Sequence, residues 1–320
     1  MTTQHYYGCG MEEFMYLEKI QSPEDVKKLD VEQLKVLAGE MRQALIQKLS
    51  VHGGHVGPNL GMVEATIAMH YVFDSPKDKM VFDVSHQSYC HKMLTGRADA
   101  FLDEAKYDDV SGYSEPSESA HDFFCIGHTS TSVSLACGLA KARDLADENY
   151  NVIAVIGDGS LSGGEALEGL DFAKELNGNL IVVVNDNEMS IAENHGGLYE
   201  NLKLLRDTKG QAECNLFKAM GLNYVFVEDG NDLTQLIDAF KKVKDSKEPV
   251  AVHIHTLKGK GYTLAEENKE SWHWHMPFDI ETGKTKGNFD GGEDYGTLTA
   301  DYLLQKMKED ASVVAITSAT

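Results

Sequence analysis

The amino-acid sequence predicts an α/β protein built on a doubly wound, mainly parallel sheet with helices on both sides. Short apolar runs rich in Val and Ile recur along the chain, and helical segments separate most of them. Continuous apolar runs are typical of parallel strands that are buried on both faces. The alternation of strand and helix is that of repeated βαβ units, which form this class of sheet.

The elements follow from these patterns. Apolar residues at helical spacing predict a first helix from the capping residue Asp30 to about Ser50, and further helices over 63–73 and 132–147. Between the first two helices, "VHGGHVGPNLG" has four glycines and a proline, which predicts a loop. Six apolar runs are predicted as strands, at 80–84, 152–156, 180–184, 224–227, 250–254 and 313–316.

The composition limits the classes of partner. The chain of 320 residues is 42% hydrophobic, enough for a sizeable core, and its formal charge is −22. Such a surface repels nucleic acid and anionic membranes, so neither is an expected partner. The five cysteines are widely spaced and form no Cys-x-x-Cys pair, which disfavours a disulfide scaffold. Because we also see no secretory signal and no membrane-spanning apolar run, we expect a cytoplasmic protein.

One linker-like segment divides the chain. Residues 281–296 are rich in glycine, threonine and charged side chains. We therefore expect one domain over 1–290. Over 291–320 we expect a linker and the truncated start of a second domain.

Polar motifs follow two of the predicted strands. Gly-Asp-Gly stands at 157–159 and Asn-Asp-Asn at 185–187. Ligands of open parallel sheets bind beyond the carboxyl ends of the strands, where glycines allow a tight turn and a helix start can face a phosphate. Asp158 and Asn187 are hard oxygen ligands of the kind that Mg²⁺ prefers. We therefore predict that the two strand ends converge on one diphosphate-bound metal ion.

Other interpretations of the two motifs exist. Either motif alone is also compatible with an ordinary turn or loop, because such short motifs match by chance. A nicotinamide-dinucleotide site is disfavoured, because Ser162 stands where G-x-G-x-x-G needs its third glycine.

The combined pattern is more specific than either motif. Gly-Asp-Gly, a crossover helix, an apolar strand and then Asn-Asp-Asn resemble the thiamine-diphosphate-binding motif. Further segments, among them "GGHVGPNLGMVEATIAMHYVFDSPKDKMVFDVSHQSYCHKMLTGR", "GDGSLSGGEALEGLDFA" and "LKGKGY", are similar to the 1-deoxy-D-xylulose-5-phosphate synthase family of the transketolase superfamily. The resemblance extends over nearly the whole chain and corresponds to that family's diphosphate-binding domain.

The resemblance implies a set of site residues. Mg²⁺ would be ligated by Asp158, Asn187 and the main-chain carbonyl of Met189. The catalytic residues would be His55, facing the reacting carbon of the cofactor, together with His86 and His273. Residues that would bind the cofactor are His86, Gly127, His128, Thr129, Gly159, Ser160, Asn187 and Tyr262.

The histidines also suggest zinc. The pairs His52/His55 and His273/His275 have suitable types of ligand, but zinc needs a closed set of three or four, and no cysteine is near the first pair. Imidazole titrates near neutral pH and suits proton transfer on a substrate, which favours a catalytic role. The segment "WHWHMPFD" resembles the family's Phe-His segment loosely, so either His273 or His275 is compatible with that role.

The chain departs from the family's pattern at positions near the implied cofactor. Ser85 stands where the family usually has glycine, and "SGYSEPSES" at 111–119 lacks the basic residues usual there. The part between "NDNEMSI" and "FKAMGLNY" is shorter than in typical synthases and closer in length to transketolases. These departures bear on the choice of substrate rather than on the metal motif.

The implied function is a thiamine-diphosphate- and Mg²⁺-dependent transferase. It would condense pyruvate with glyceraldehyde 3-phosphate to 1-deoxy-D-xylulose 5-phosphate with loss of CO₂. No residue matches the family's pyrimidine-domain glutamate motif, so we expect an N-terminal part that is inactive alone and forms a homodimer or pairs with a C-terminal half chain. The alternatives are a subunit of a transketolase-type ketol transferase and a non-catalytic thiamine-diphosphate-binding regulator.

Overall fold

The centre of the molecule is one sheet of parallel strands. The computed structural model describes residues 15–176, 178–287 and 294–316. The strands are β1 (Lys79–Phe82), β2 (Val152–Gly157), β3 (Ile181–Asp186), β4 (Asn223–Val227) and β5 (Val250–His255). They lie in the order β1-β2-β3-β5-β4, and every neighbouring pair is parallel. Five of the six predicted strands are thus confirmed, with ends that differ by at most two residues.

Helices connect and cover the strands. The described helices are α1 (Pro23–Val26), α2 (Val31–His52), α3 (Gly57–Gly61), α4 (Val63–Val72), α5 (Tyr89–Lys92), α6 (Asp99–Leu102), α7 (Ser132–Leu145), α8 (Asp158–Leu161), α9 (Gly164–Ala173), α10 (Gly197–Asp207), α11 (Leu216–Ala219), α12 (Leu233–Val243), α13 (Thr263–Glu267) and α14 (Tyr295–Glu309). None of them is long and apolar enough to cross a membrane.

The two faces of the sheet carry separate apolar cores. Ile153 and Val155 of β2 belong to the core that contains buried residues of α2, α4 and α12. Ala154 and Ile156 face the other way, into the core formed with α7, α9 and α10. Because both faces are covered, each strand position needs an apolar side chain, and this explains the continuous apolar runs in the sequence. The predicted doubly wound sheet is confirmed.

The predicted start of the first helix is confirmed by its cap. The Asp30 side chain accepts a hydrogen bond from the Gln33 backbone N–H, and the Gln33 side chain accepts one from the Asp30 backbone N–H. This reciprocal pair satisfies two donors that a helix start leaves free. The helices predicted over 63–73 and 132–147 are present as α4 and α7, which end one and two residues earlier.

The glycine-rich stretch predicted as a loop is partly helical. Its second half forms α3, with Pro58 in the first turn, where proline is tolerated because no N–H is needed. The Asn59 side chain in α3 donates to the carbonyls of His55 and His86 (both 2.8 Å) and accepts from the Tyr89 N–H (3.1 Å). These tertiary hydrogen bonds, which the local sequence does not reveal, hold the turn.

The prediction of a strand at 313–316 is wrong. These residues are in neither a helix nor a strand, and no residue of the preceding α14 is buried. A single strand has no neighbour with which to pair its N–H and C=O groups, so its apolar sequence alone does not create a sheet. The predicted domain boundary at 290/291 lies outside the described residues and stays a prediction.

Candidate active site

The three histidines predicted to be catalytic lie together. The ring centroids of His55 and His86 are 4.8 Å apart, those of His86 and His273 are 5.3 Å apart, and those of His55 and His273 are 5.6 Å apart. The ring of Tyr113 meets His55 edge to face at 6.0 Å. We call the three histidines the histidine cluster.

Three separate segments supply the cluster. His55 precedes α3 and His86 follows β1, and Asn59 ties the two together by donating to both of their carbonyls. The segment of His273 is attached through backbone hydrogen bonds, in which Gly57 donates to Trp272 (2.8 Å) and Gly54 exchanges two bonds of 2.9 Å with His275. The glycines allow this approach, because a Cβ at Gly57 would lie 3.0 Å from the Trp272 carbonyl oxygen.

The structure distinguishes His273 from His275. The His275 ring stacks on Trp272 with centroids 4.3 Å apart, and its Nδ1 hydrogen-bonds to the Met276 carbonyl. It therefore packs against the apolar core, whereas the His273 ring points into the histidine cluster. The sequence left both open, since only the direction of each side chain separates them.

The cluster is neutral at physiological pH. Burial lowers the pKa of His55 to about 4. Burial, helped by the charges of Lys258 and His55, lowers the pKa of His273 to about 3. Burial also places the pKa of His86 well below its usual range. The Nδ1 atoms of His86 and His273 are buried and have no hydrogen-bond partner in the described structure, which makes them free to bind a ligand.

The two polar motifs converge as predicted. Gly157 is paired with Asn185 in the register of β2 and β3, so the residues that follow the two strands lie side by side. Gly159 packs against Ser190, where a Cβ would lie 2.6 Å from the Ser190 hydroxyl. Glycine is therefore required at 159 by close packing. Its backbone φ, like that of Gly157, is not positive.

A buried pair of carboxylates occupies this junction. Burial and then the neighbouring Asp186 carboxylate raise the pKa of Asp158 well above its usual range. Burial alone would also raise the pKa of Asp186, but the hydrogen bond from His253 and the charge of Arg206 lower it to about 2. Two adjacent carboxylates cannot both ionise cheaply, so Asp186 holds the negative charge and Asp158 the proton.

The partners of Asp186 were missed by sequence reasoning. His253 Nε2 lies 2.8 Å from Asp186 Oδ2, and the Tyr224 hydroxyl lies 2.8 Å from His253 Nδ1. Arg206 also forms an ion pair with Asp186. His253 is within β5 and Tyr224 within β4, so apolar strand patterns conceal them. The one signal that could have revealed this network is His253 itself, a histidine at a fully buried position of a strand.

The predicted metal ligands have suitable chemistry. Asp158 accepts hydrogen bonds from the Gly159 N–H and the Asn194 side chain (both 2.9 Å), and Asn187 Oδ1 accepts from the Met189 N–H (3.2 Å). Carboxylate, amide and main-chain oxygens fit Mg²⁺, and a divalent cation would favour the ionised form of Asp158. In the described part of the chain, no three or more His, Cys, Asp or Glu side chains could hold a metal ion by themselves.

A large cavity opens beside this junction. Its volume is about 1350 Å³, and Asp158, Asp186 and Met189 are among the residues that line it. The buried Lys258 links this junction with the histidine cluster. Its ammonium donates to the Ser190 carbonyl (2.7 Å), and its charge acts on both His273 and Asp158. Burial lowers the pKa of Lys258 to about 8.

The turn at 127–129 is exposed but attached to the same region. Next to it, the Ser130 hydroxyl donates to the Ser160 carbonyl (2.7 Å). The buried Asp83 carboxylate accepts from the N–H groups of Ser130 and Ser132 (both 2.9 Å), which holds the turn at the start of α7. Gly127, His128 and Thr129 therefore lie next to Ser160, where the resemblance implies a diphosphate.

Tyr262 lies in the apolar core. Its ring is buried in the apolar core, edge to face with Trp272 at 5.0 Å. Its hydroxyl donates to the Ile280 carbonyl (2.8 Å). Tyr262 thus packs in the core, and its predicted contact with the cofactor stays a prediction.

The low pKa values of the cluster predict how stability depends on pH. Between about pH 4 and 6.5, an unfolded histidine binds a proton that folded His55 does not, so the free energy of unfolding falls as pH drops through this window. Replacing one of these histidines, as in His55→Gln or His273→Gln, should reduce the decrease in the free energy of unfolding by up to about 1.4 kcal/mol per pH unit. Urea denaturation at pH 7 and pH 5 measures this decrease. An identical decrease in the variants and the wild type would contradict the prediction.

The sequence of the chain matches a known family. The model of the 1-deoxy-D-xylulose-5-phosphate synthase family matches residues 17–214 and 206–256. Proteins of that name from Caldanaerobacter subterraneus and Geobacter sulfurreducens are each 42% identical in an alignment 339 positions long, which covers 95% of this chain. The protein from Listeria monocytogenes is 41% identical over 96% of it. The chain spans about half the length of these relatives, from 51% to 54%.

Solved structures of transketolases share the fold. The transketolase from Campylobacter jejuni superimposes with a TM-score of 0.61 at 19% identity, over 77% of this chain and 41% of that one. The transketolase from Leishmania mexicana gives 0.58 at 20% identity, over 78% and 39%. The family model matches most of this chain, and the relatives named for that family align with nearly all of it. The chain therefore belongs to the 1-deoxy-D-xylulose-5-phosphate synthase family and has a transketolase-like fold.

Proposed function

We propose that this chain carries the diphosphate and metal half of a thiamine-diphosphate site. The site belongs to a transferase that joins pyruvate to glyceraldehyde 3-phosphate, with loss of CO₂, to give 1-deoxy-D-xylulose 5-phosphate. The observation that carries the proposal is the histidine cluster together with the paired ends of β2 and β3, two features that the charge of Lys258 links. Relatives that bear the name of this synthase support the choice of reaction.

The junction of β2 and β3 would hold the charged end of the cofactor. Asp158, Asn187 and the Met189 carbonyl ligate Mg²⁺, and the metal neutralises the diphosphate that a chain of charge −22 would otherwise repel. Gly159 and Ser160 contact the diphosphate together with the turn at 127–129.

The histidine cluster would handle protons. His55, His86 and His273 are neutral, so each has one ring nitrogen that accepts a proton and one that donates it. The unpartnered Nδ1 atoms of His86 and His273 are available to hydroxyl and carbonyl groups of a ligand. When bound, thiamine diphosphate supplies the carbon that attacks a 2-oxo acid and takes up the electrons released with CO₂. The chain's own residues orient the reactants and exclude water.

A second protein surface would complete the site. Helix α14 has no buried residue, and Tyr295, Leu298 and Tyr302 on it are exposed. The apolar residues 313–316 that follow pair with no strand in the part of the chain that the structure describes. The uncovered apolar side chains support docking of a further domain, either within a homodimer of a longer protein or from a C-terminal half chain.

Among the described residues, the thiols of Cys90, Cys125, Cys137 and Cys214 are free, which supports a reducing, cytoplasmic location.

The first prediction concerns the metal. Calorimetry should detect Mg²⁺-dependent binding of thiamine diphosphate and no binding of thiamine. Asp158→Ala should abolish the metal dependence, because it removes a charged oxygen ligand. Asp171→Ala, which removes an exposed carboxylate of α9, is the matched control and should bind as the wild type does. Equal affinity with and without EDTA would exclude the proposed metal site.

The second prediction concerns the histidines. In the complete enzyme, His55→Asn or His86→Asn should lower kcat by about 10²–10⁴-fold, as expected for loss of a group that transfers protons. Binding of the diphosphate should change much less. His275→Asn is the control, since that ring packs outside the histidine cluster. If a variant of the histidine cluster kept near-normal turnover, the replaced histidine would have only a structural role.

The third prediction tests the reaction and the need for a second part. The isolated chain should release negligible CO₂ from pyruvate, and activity should appear when the remaining half of a relative is supplied in cis or as a second polypeptide. CO₂ release that requires glyceraldehyde 3-phosphate supports the synthase. Ketol transfer without CO₂ would instead indicate a transketolase-type enzyme, and robust turnover by the isolated chain would contradict the requirement for a second part.

A further inference from the structure

Ser85 has an unusual backbone conformation beside the histidine cluster. Its φ is +69°, in the left-handed region that glycine adopts freely and other residues rarely do. The side chain is completely buried. It lies directly before His86, so any contact that it makes acts on the wall of the candidate site.

The Ser85 hydroxyl bridges two points of one distant segment. It accepts a hydrogen bond from the Ser114 N–H (2.8 Å) and donates one to the Ile126 carbonyl (3.0 Å). We call residues 111–126 the wall segment. A glycine would remove the backbone strain at 85 but would also leave both backbone groups of the wall segment without this partner. The serine therefore has a role that its conformation alone does not require.

Ion pairs hold the wall segment at other residues. Asp122 accepts from Arg97 through two bonds of 2.9 Å and from the Glu115 N–H (2.9 Å). Glu118 is bonded to Lys92 (2.5 Å) and to Arg97 (3.0 Å). The wall segment is thus held by two separate sets of contacts, and a change at Ser85 releases one set while the ion pairs remain.

The fixed wall segment brings Tyr113 to the histidine cluster. Its ring meets that of His55 at 6.0 Å with an angle of 72° between the ring planes. The side chain is 38% exposed, so it contacts His55 on one side and remains accessible on another. A ligand that reaches His55 therefore also meets Tyr113.

We propose that Ser85 is a positioning residue that fixes the wall segment and so presents Tyr113 to the substrate at His55. Lys92 and Arg97, which are bonded to the wall segment, are already engaged by Glu118 and Asp122 and so are not free to bind an anionic group of the substrate. An aromatic ring with a hydroxyl suits the hydroxyl-bearing carbon chain of a sugar-like substrate. This contact with substrate rests on the proposed function, whereas the positioning does not.

Hydrogen exchange tests the positioning in the isolated chain. Ser85→Gly should fold, since glycine accepts the left-handed backbone, and the Ser114 amide should exchange about five to ten times faster than in wild type. The matched control is Ser130→Gly, which replaces another buried serine at positive φ (+72°) whose hydroxyl bonds to Ser160 instead. It should leave Ser114 unchanged. Equal exchange of Ser114 in wild type and Ser85→Gly would overturn the positioning role.

A spectroscopic signature tests the link from Ser85 to His55. In the chain labelled at histidine, Ser85→Gly and Tyr113→Ala should move the His55 ring resonances in the same direction, because both remove the edge-to-face ring. Tyr113→Phe keeps the ring and should leave them nearly in place. Unchanged His55 resonances in Ser85→Gly would show that Tyr113 does not depend on Ser85.

Kinetics of the complete enzyme test the contact with substrate. Tyr113→Ala should raise KM about tenfold with a smaller change in kcat, and Ser85→Gly should do the same to a lesser extent. Tyr113→Phe should restore much of the lost affinity. An unchanged KM in Tyr113→Ala would overturn the substrate contact. Absence of turnover in the wild-type complex would instead refute the proposed function, while exchange and resonance measurements still decide the positioning.

Discussion

Two buried carboxylates at the ends of β2 and β3 impose the main electrostatic constraint on this structure. The register that pairs Gly157 with Asn185 brings Asp158 and Asp186 together, and both side chains are almost completely buried. Burying adjacent negative charges is costly unless cations or protons compensate for them. His253 and Arg206 stabilise the charge of Asp186, which leaves Asp158 protonated.

This constraint connects the sheet with the candidate chemistry. The hydrogen bonds of Asp186 run through His253 to Tyr224, so the interior of β5 and β4 supports the loop that carries Asn187. A divalent cation at Asp158 would relieve the constraint directly, since its charge replaces the proton. The same junction is joined through Lys258 to the histidine cluster. Charge compensation at one end of the site and neutral imidazoles at the other therefore belong to one continuous region.

Much of the fold was predictable because its signals are local. The five strands of the sheet are continuous apolar runs, and Asp30 with Gln33 caps α2 within four residues. The errors arose where local pattern and tertiary context disagree. Residues 313–316 have a strand-like composition but pair with no strand among the described residues. The glycine-rich stretch contains α3, where the Asn59 side chain is hydrogen-bonded to the distant His86 and Tyr89.

The sequence by itself determined the class of the fold, the convergence of the two polar motifs and the types of residue available for metal and proton chemistry. These follow from burial on both faces of a parallel sheet and from the rule that parallel strands end at the same edge. Only the tertiary structure decided that His273 rather than His275 joins His55 and His86. It also decided that Asp186, His253 and Arg206 form one network, and that Ser85 bridges to the wall segment. Each of these depends on side-chain directions and on contacts between residues far apart in the chain, which packing of the whole domain sets.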